Sequence, residues 1–133
     1  MVEQLHSIGK EIDLSFCSVV LRNDGIVHVQ VKGKDEIDLS QAKEIIRGIG
    51  EVWNGIKRPT LVSSVYFAAP TAEARAFLAK KESNPYSSAA AYIARSLPER
   101  IVMNAFLKFN KPARPTRMFT AETKAIEWLT IYL

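Results

Sequence analysis

Apolar residues recur along this chain with two different periods. From Leu39 they fall at Leu39, Ala42, Ile45, Ile46, Ile49, Trp53 and Ile56, spacings of three and four that make one stripe on a helix. Asp38 predicts its N-cap, with Gln41 as the reciprocal partner of a capping box, and Asn54-Gly55 predicts its end. Before it the period is two. Leu14–Leu21 has strand composition, Asn23-Asp24-Gly25 signals a hairpin, and Ile26–Val31 alternates, with Val27, Val29 and Val31 on one side and Ile26, His28 and Gln30 on the other. Lys32–Ile37 reads as a polar loop, and residues 1–13 as a loose arm ahead of a single domain over residues 14–133.

Beyond Ile56 the two patterns take turns. Pro59 introduces an extended run, Thr60–Val65, with few charges, as in a strand covered on both faces. Pro70 precedes a helix capped by Thr71, with Ala74, Phe77 and Leu78 inward, and Ser83-Asn84-Pro85 breaks it. Ser88–Ala94 reads as an interior strand whose small side chains let helices press close. Ser96-Leu97-Pro98-Glu99 is a capping box with proline in the first turn. Its helix runs to about Phe109, with Ile101, Val102, Ala105, Phe106 and Phe109 predicted as core. Pro112 and Pro115 fix the exit, Thr116–Phe119 is a short strand, and Thr120 is read as the cap of a last helix. Ala125, Ile126 and Leu129 of that helix face inward, with Trp128 at its edge. A hairpin followed by alternating helices and strands on short links implies an α/β fold of parallel strands joined by right-handed crossovers.

Composition changes this picture little. The 133 residues are 47% hydrophobic and 24% charged, ordinary for one globular domain. One cysteine, Cys17, excludes an internal disulfide and fits a reducing, cytoplasmic setting. No apolar run is long enough to span a bilayer, and Met1–Lys10 lacks a secretory pattern. A net charge of +4 is mild, so nucleic acid is not the expected partner.

Candidate chemistry is sparse. His28 and Cys17 have no sequence neighbours that would make a metal site or a nucleophile, so both read as packed side chains. Gly48 and Gly50, inside a helix, read as sites of close packing or a local kink. Lys108, Lys111, Arg114 and Arg117 lie within ten positions, interleaved with Phe106, Phe109 and Phe119. They are either an anion- or partner-binding group or a solvated rim around core aromatics. Thr71 is either a plain helix cap or a phosphosite stabilised by free N–H groups. Ser63 and Ser64 are the weaker phosphosite candidates.

The chain resembles the STAS-like family, named for sulfate transporters and anti-sigma factor antagonists, and in particular a small stand-alone bacterial branch of it. The likeness rests on Asn23-Asp24-Gly25-Ile26-Val27, Asp38-Leu39 with Ala42-Lys43-Glu44, Asn110-Lys111-Pro112, Pro115-Thr116-Arg117, Phe119, Ala125 and Trp128-Leu129. It implies a mixed, mostly parallel five-stranded sheet with about four helices, mostly on one side. It also implies a regulatory module without enzymatic activity or cofactor that binds a protein partner. In such antagonists a kinase phosphorylates a serine after an acidic residue at a helix start. Here Ala69-Pro70-Thr71 occupies that junction without the acidic-serine pair. The alternative is a small-ligand or lipid-binding module using an apolar gap with Lys111, Arg114 and Arg117 at its mouth. A homodimer is a further expectation.

Overall fold

A computed structural model describes residues 11–133. Six strands form one sheet in the order β1-β2-β3-β4-β5-β6: β1 Glu11–Leu14, β2 Cys17–Leu21, β3 Val27–Val31, β4 Arg58–Ser64, β5 Ser87–Ile93 and β6 Thr116–Phe119. The first three pair antiparallel and the rest pair parallel. The helices are α1 Leu39–Val52, α2 Ala72–Ala79, α3 Leu97–Ala105 and α4 Glu122–Leu129. A π-helix, Phe106–Asn110, follows α3, and a 3-10 turn, Thr130–Tyr132, ends the chain.

The sheet has six strands where five were expected. The run Leu14–Leu21 is two strands, not one, joined by Ser15-Phe16. The Phe16 carbonyl accepts from the amides of Lys32 and Gly33, and Lys32 Nζ meets Asp13 Oδ1 at 2.8 Å, which together hold the edge strand down. Residues 11–13 therefore belong to the sheet and not to an arm; residues 1–10 lie outside the described residues. The second hairpin turns where Asn23-Asp24-Gly25 predicts. Gly25 takes φ of 90°, and Asp24 Oδ1 accepts from the Ile26 amide at 3.1 Å.

The sheet is covered on both faces, with three of the four helices on one side. Val27, Val29 and Val31 pack against Ala42, Ile45, Ile46 and Ile49 of α1. On the other side Ile26, Leu61, Ala89 and Ala91 pack against Ala125 and Leu129 of α4. The Asp38–Gln41 capping box forms as expected, with bonds of 3.0 and 2.8 Å. Gly50 is a close-packing glycine: a β-carbon there would lie 2.8 Å from the Tyr86 ring.

Four local expectations fail. Ile56 is exposed, because Asn54 and Gly55 both adopt positive φ and turn the chain off the helix axis. Ile101 is exposed on the outer side of α3. Phe109 is the most exposed large apolar side chain described, at 74%, because the π-helix rotates less per residue and carries it off the inward face. Thr120 does not cap α4, whose N-cap is Ala121 with no side-chain bond.

Candidate functional site

Between the sheet and the three-helix side lies a cavity of about 110 Å³. Its floor is Val29 and Val31 of β3 with Thr60, Val62 and Ser64 of β4, and Ala90 and Tyr92 of β5. Ile45, Ile46 and Ile49 of α1 and Val102 and Met103 of α3 enclose it, with Phe67 from the β4–α2 loop. The lining is mainly apolar with a few placed polar groups, the usual make-up of a small-molecule site.

Those polar groups differ in how they are satisfied. Thr60 Oγ1 and Ser87 Oγ are 2.7 Å apart, and Asn84 Nδ2 donates to Ser87 Oγ at 2.9 Å. The register places them. β4 and β5 slip by one residue between the pairs Arg58–Ser87 and Thr60–Ala90, which brings Ser87 beneath Thr60. Glu99 lines the wall, but its Oε1 accepts from Ser96 N and Ser96 Oγ. Ser64 and Tyr92 are different. Neither hydroxyl makes a hydrogen bond to a described residue. Val62 pairs with Tyr92, so Ser64 is the diagonal neighbour of Tyr92 on the cavity face. Burial pushes the Tyr92 phenol above its usual value, and Arg114 partly offsets that.

The outer side of α3 is the second feature. Glu99, Val102 and Met103 face the cavity, so Leu97 and Ile101, a turn apart, project the other way. They are 62% and 59% exposed, and α3 has no fully buried residue.

Residues 19–133 match the model of a family described as Domain of unknown function (DUF7793). The chain belongs to that family. Its fold is similar to the crystal structure of an uncharacterized protein from the DUF3478 family with a SpoIIAA-like fold from Shewanella loihica PV-4. The TM-score is 0.56 at 14% identity, over 91% of this chain and 99% of that one. The fold is therefore SpoIIAA-like, the STAS-like architecture that the sequence resembles. The comparison with curated proteins gave no match.

The structure scatters the residues singled out from sequence. Arg114 lines the cavity, but its guanidinium donates to the carbonyls of Leu78 and Lys80 at 3.0 Å and of Asn84 at 3.5 Å. Arg117 lies on the opposite sheet face, stacked over Phe119 and Trp128. Lys108 and Lys111 are exposed, Lys108 over the Phe109 ring. The four cations do not converge on one anion site. Thr71 caps α2, its Oγ1 accepting from Ala74 N at 3.2 Å. Its own amide donates to Ile37 O, which zips the β4–α2 loop to the β3–α1 loop. Ser63 is buried with Oγ 2.7 Å from His28 Nε2, whereas Ser64 faces the cavity. Cys17 is buried, and burial pushes its thiol up to about 12. Among the described residues no group of three His, Cys, Asp or Glu side chains comes together, and no helix is long and apolar enough to cross a membrane.

His28 gives a pH prediction. Burial lowers its pKa below the ordinary 6.5, Glu122 opposes this, and Arg22 adds to it to a smaller extent. A base with a depressed folded-state pKa takes up its proton more readily once unfolded. Its stabilising contribution is complete above pH 6.5 and is lost as the pH falls through that value toward the lower folded one. Melting curves between pH 7.5 and about 5 should fall more steeply for the wild type than for His28→Gln. Parallel curves would show that His28 does not titrate differently in the two states.

The alternative sequence reading expected an apolar gap with Arg114 at its mouth, but it did not place the lining of the cavity. Its one local trace was the run of small residues in β5: Ala89 and Ala91 do let α4 press close, but Ala90, on the other face, leaves space open.

Proposed function

We propose that this chain is a non-enzymatic, cytoplasmic regulatory module that docks a partner protein on the outer face of α3. The carrying observation is the exposed Leu97–Ile101 pair on a helix whose other side already faces the cavity. Charge sets the partner's chemistry. Between Arg95 and Lys111 the only acid is Glu99, and its carboxylate is engaged by Ser96, whereas Arg95, Arg100, Lys108 and Lys111 flank the apolar pair. The fitting partner is a segment with apolar side chains bordered by carboxylates.

Phosphorylation of Thr71 is the proposed switch. Pro70, its neighbour, lines the same cavity as the inner side of α3, and a phosphate there would add up to about two negative charges to the side of the sheet that carries the basic docking face.

The test is crosslinking in the source cells, then titration of the purified partner. Leu97→Ser/Ile101→Ser should weaken the complex by about tenfold or more with an unchanged melting curve, because both side chains are exposed. Thr71→Glu should weaken it more than Thr71→Ala, which removes the cap alone. Unchanged affinity in the double variant, or recovery of only a second copy of this chain, defeats the reading.

A further inference from the structure

We propose that the cavity beneath α3 is a binding site for a small uncharged molecule with a compact apolar body and one carbonyl or hydroxyl group, held by the Tyr92 and Ser64 hydroxyls. The site is separate from the docking face and does not depend on it.

Size comes first. An engineered cavity of about 150 Å³ lined by aliphatic and aromatic side chains stays dry and takes up benzene. The space here, about 110 Å³, is smaller, so benzene's six heavy atoms are roughly the upper limit for its occupant by that comparison. The walls supplied by α1 and α3 are aliphatic or thioether side chains, which favour an apolar body.

Polarity then selects the head group. Thr60, Asn84 and Ser87 satisfy one another, and Glu99 is held by Ser96. Only the Ser64 and Tyr92 hydroxyls stand at the wall without a protein partner among the described residues. Each of these hydroxyls can donate to an uncharged oxygen held in an otherwise apolar space. Burial raises the Tyr92 pKa, so the phenol keeps its proton and remains a donor.

Charge decides against an anion. The Arg114 guanidinium is spread over three main-chain carbonyls. A carboxylate ligand would have to leave water for a mostly aliphatic chamber without a dedicated counter-ion. One wall is α3, none of whose residues is fully buried.

The experiment is amide chemical-shift mapping of the intact chain with cyclopentanone, cyclopentane and butyrate as probes. Cyclopentanone should shift amides at Val62, Ser64, Tyr92, Val102 and Met103, with a dissociation constant of about 1 mM, well within what six heavy atoms allow. Cyclopentane should bind at the same place about fivefold more weakly, and butyrate more weakly still. Tyr92→Phe should remove the cyclopentanone advantage and leave cyclopentane binding unchanged. Ala90→Val, which fills the floor, should abolish binding of both and raise the melting temperature. Shifts elsewhere or none at all, a preference for butyrate, or an unaltered cyclopentanone affinity in Tyr92→Phe each overturn the assignment.

Discussion

Leu61→Ala should cost roughly 3–4 kcal/mol, toward the upper part of the range for buried leucines. Leu61 is fully buried in the middle of β4 and sits in register between His28 on β3 and Ala91 on β5. Its neighbours on that face include Ala89, Ala91 and Ala125, with Leu129 closing the cluster from α4. Alanines have no rotamers with which to fill a void, so the space left by three carbons stays open and its walls lose their contacts. For a domain of this size the melting temperature should fall by about 10–15 °C. Leu61→Met, which conserves volume, should cost less than about 1.5 kcal/mol. Urea titration of the two variants tests the two-sided fold directly. A loss below about 1 kcal/mol for Leu61→Ala would mean that α4 does not cover this face.

How far the sequence carried this reading depended on the range of each signal. Strand β6 and the capping boxes at Asp38 and Ser96 were legible because each is specified within a few residues. The first hairpin was not. Among the described residues the only non-glycines with positive φ are Asn54 and Lys111, so Ser15-Phe16 turns without the conformation that demands Asn or Gly. Ile101 and Phe109 carry a different lesson. Helical spacing marks an apolar residue as wanting cover, and it does not say whether this chain or another supplies it. The lining of the cavity was not legible for a third reason. Its polar wall depends on a one-residue slip between β4 and β5, and its open hydroxyls on the pairing of Val62 with Tyr92, about thirty positions apart in sequence. The basic group does not come together because spacing along the chain ignores faces: Arg117 points across the sheet from Arg114.

Arg114 is therefore expected to matter for folding. Arg114→Ala should cost roughly 2–3 kcal/mol, with no specific effect on anion affinity. Two of its three acceptors, Leu78 O and Lys80 O, belong to the C-terminal end of the eight-residue helix α2, where carbonyls have no partner within the helix. A cation at that end also faces the negative pole of the helix. The backbone adds one more tie, since Ala113 N donates to Ala79 O at 2.9 Å. Together these bonds fix the proline-rich link that delivers β6 to its place beside β5. Burial lowers the Arg114 pKa, a sign that the charge has given up water for these carbonyls. Arg114→Lys should recover less than half of the loss, because one ammonium cannot span acceptors that the planar fork reaches together. Lys108→Ala and Lys111→Ala, at exposed positions, should stay within about 0.5 kcal/mol of the wild type. Chemical denaturation of the four variants separates the two roles. A clamp gives a steep loss at position 114 alone, whereas an anion-binding cluster would leave all four as stable as the wild type and lower phosphate affinity in each.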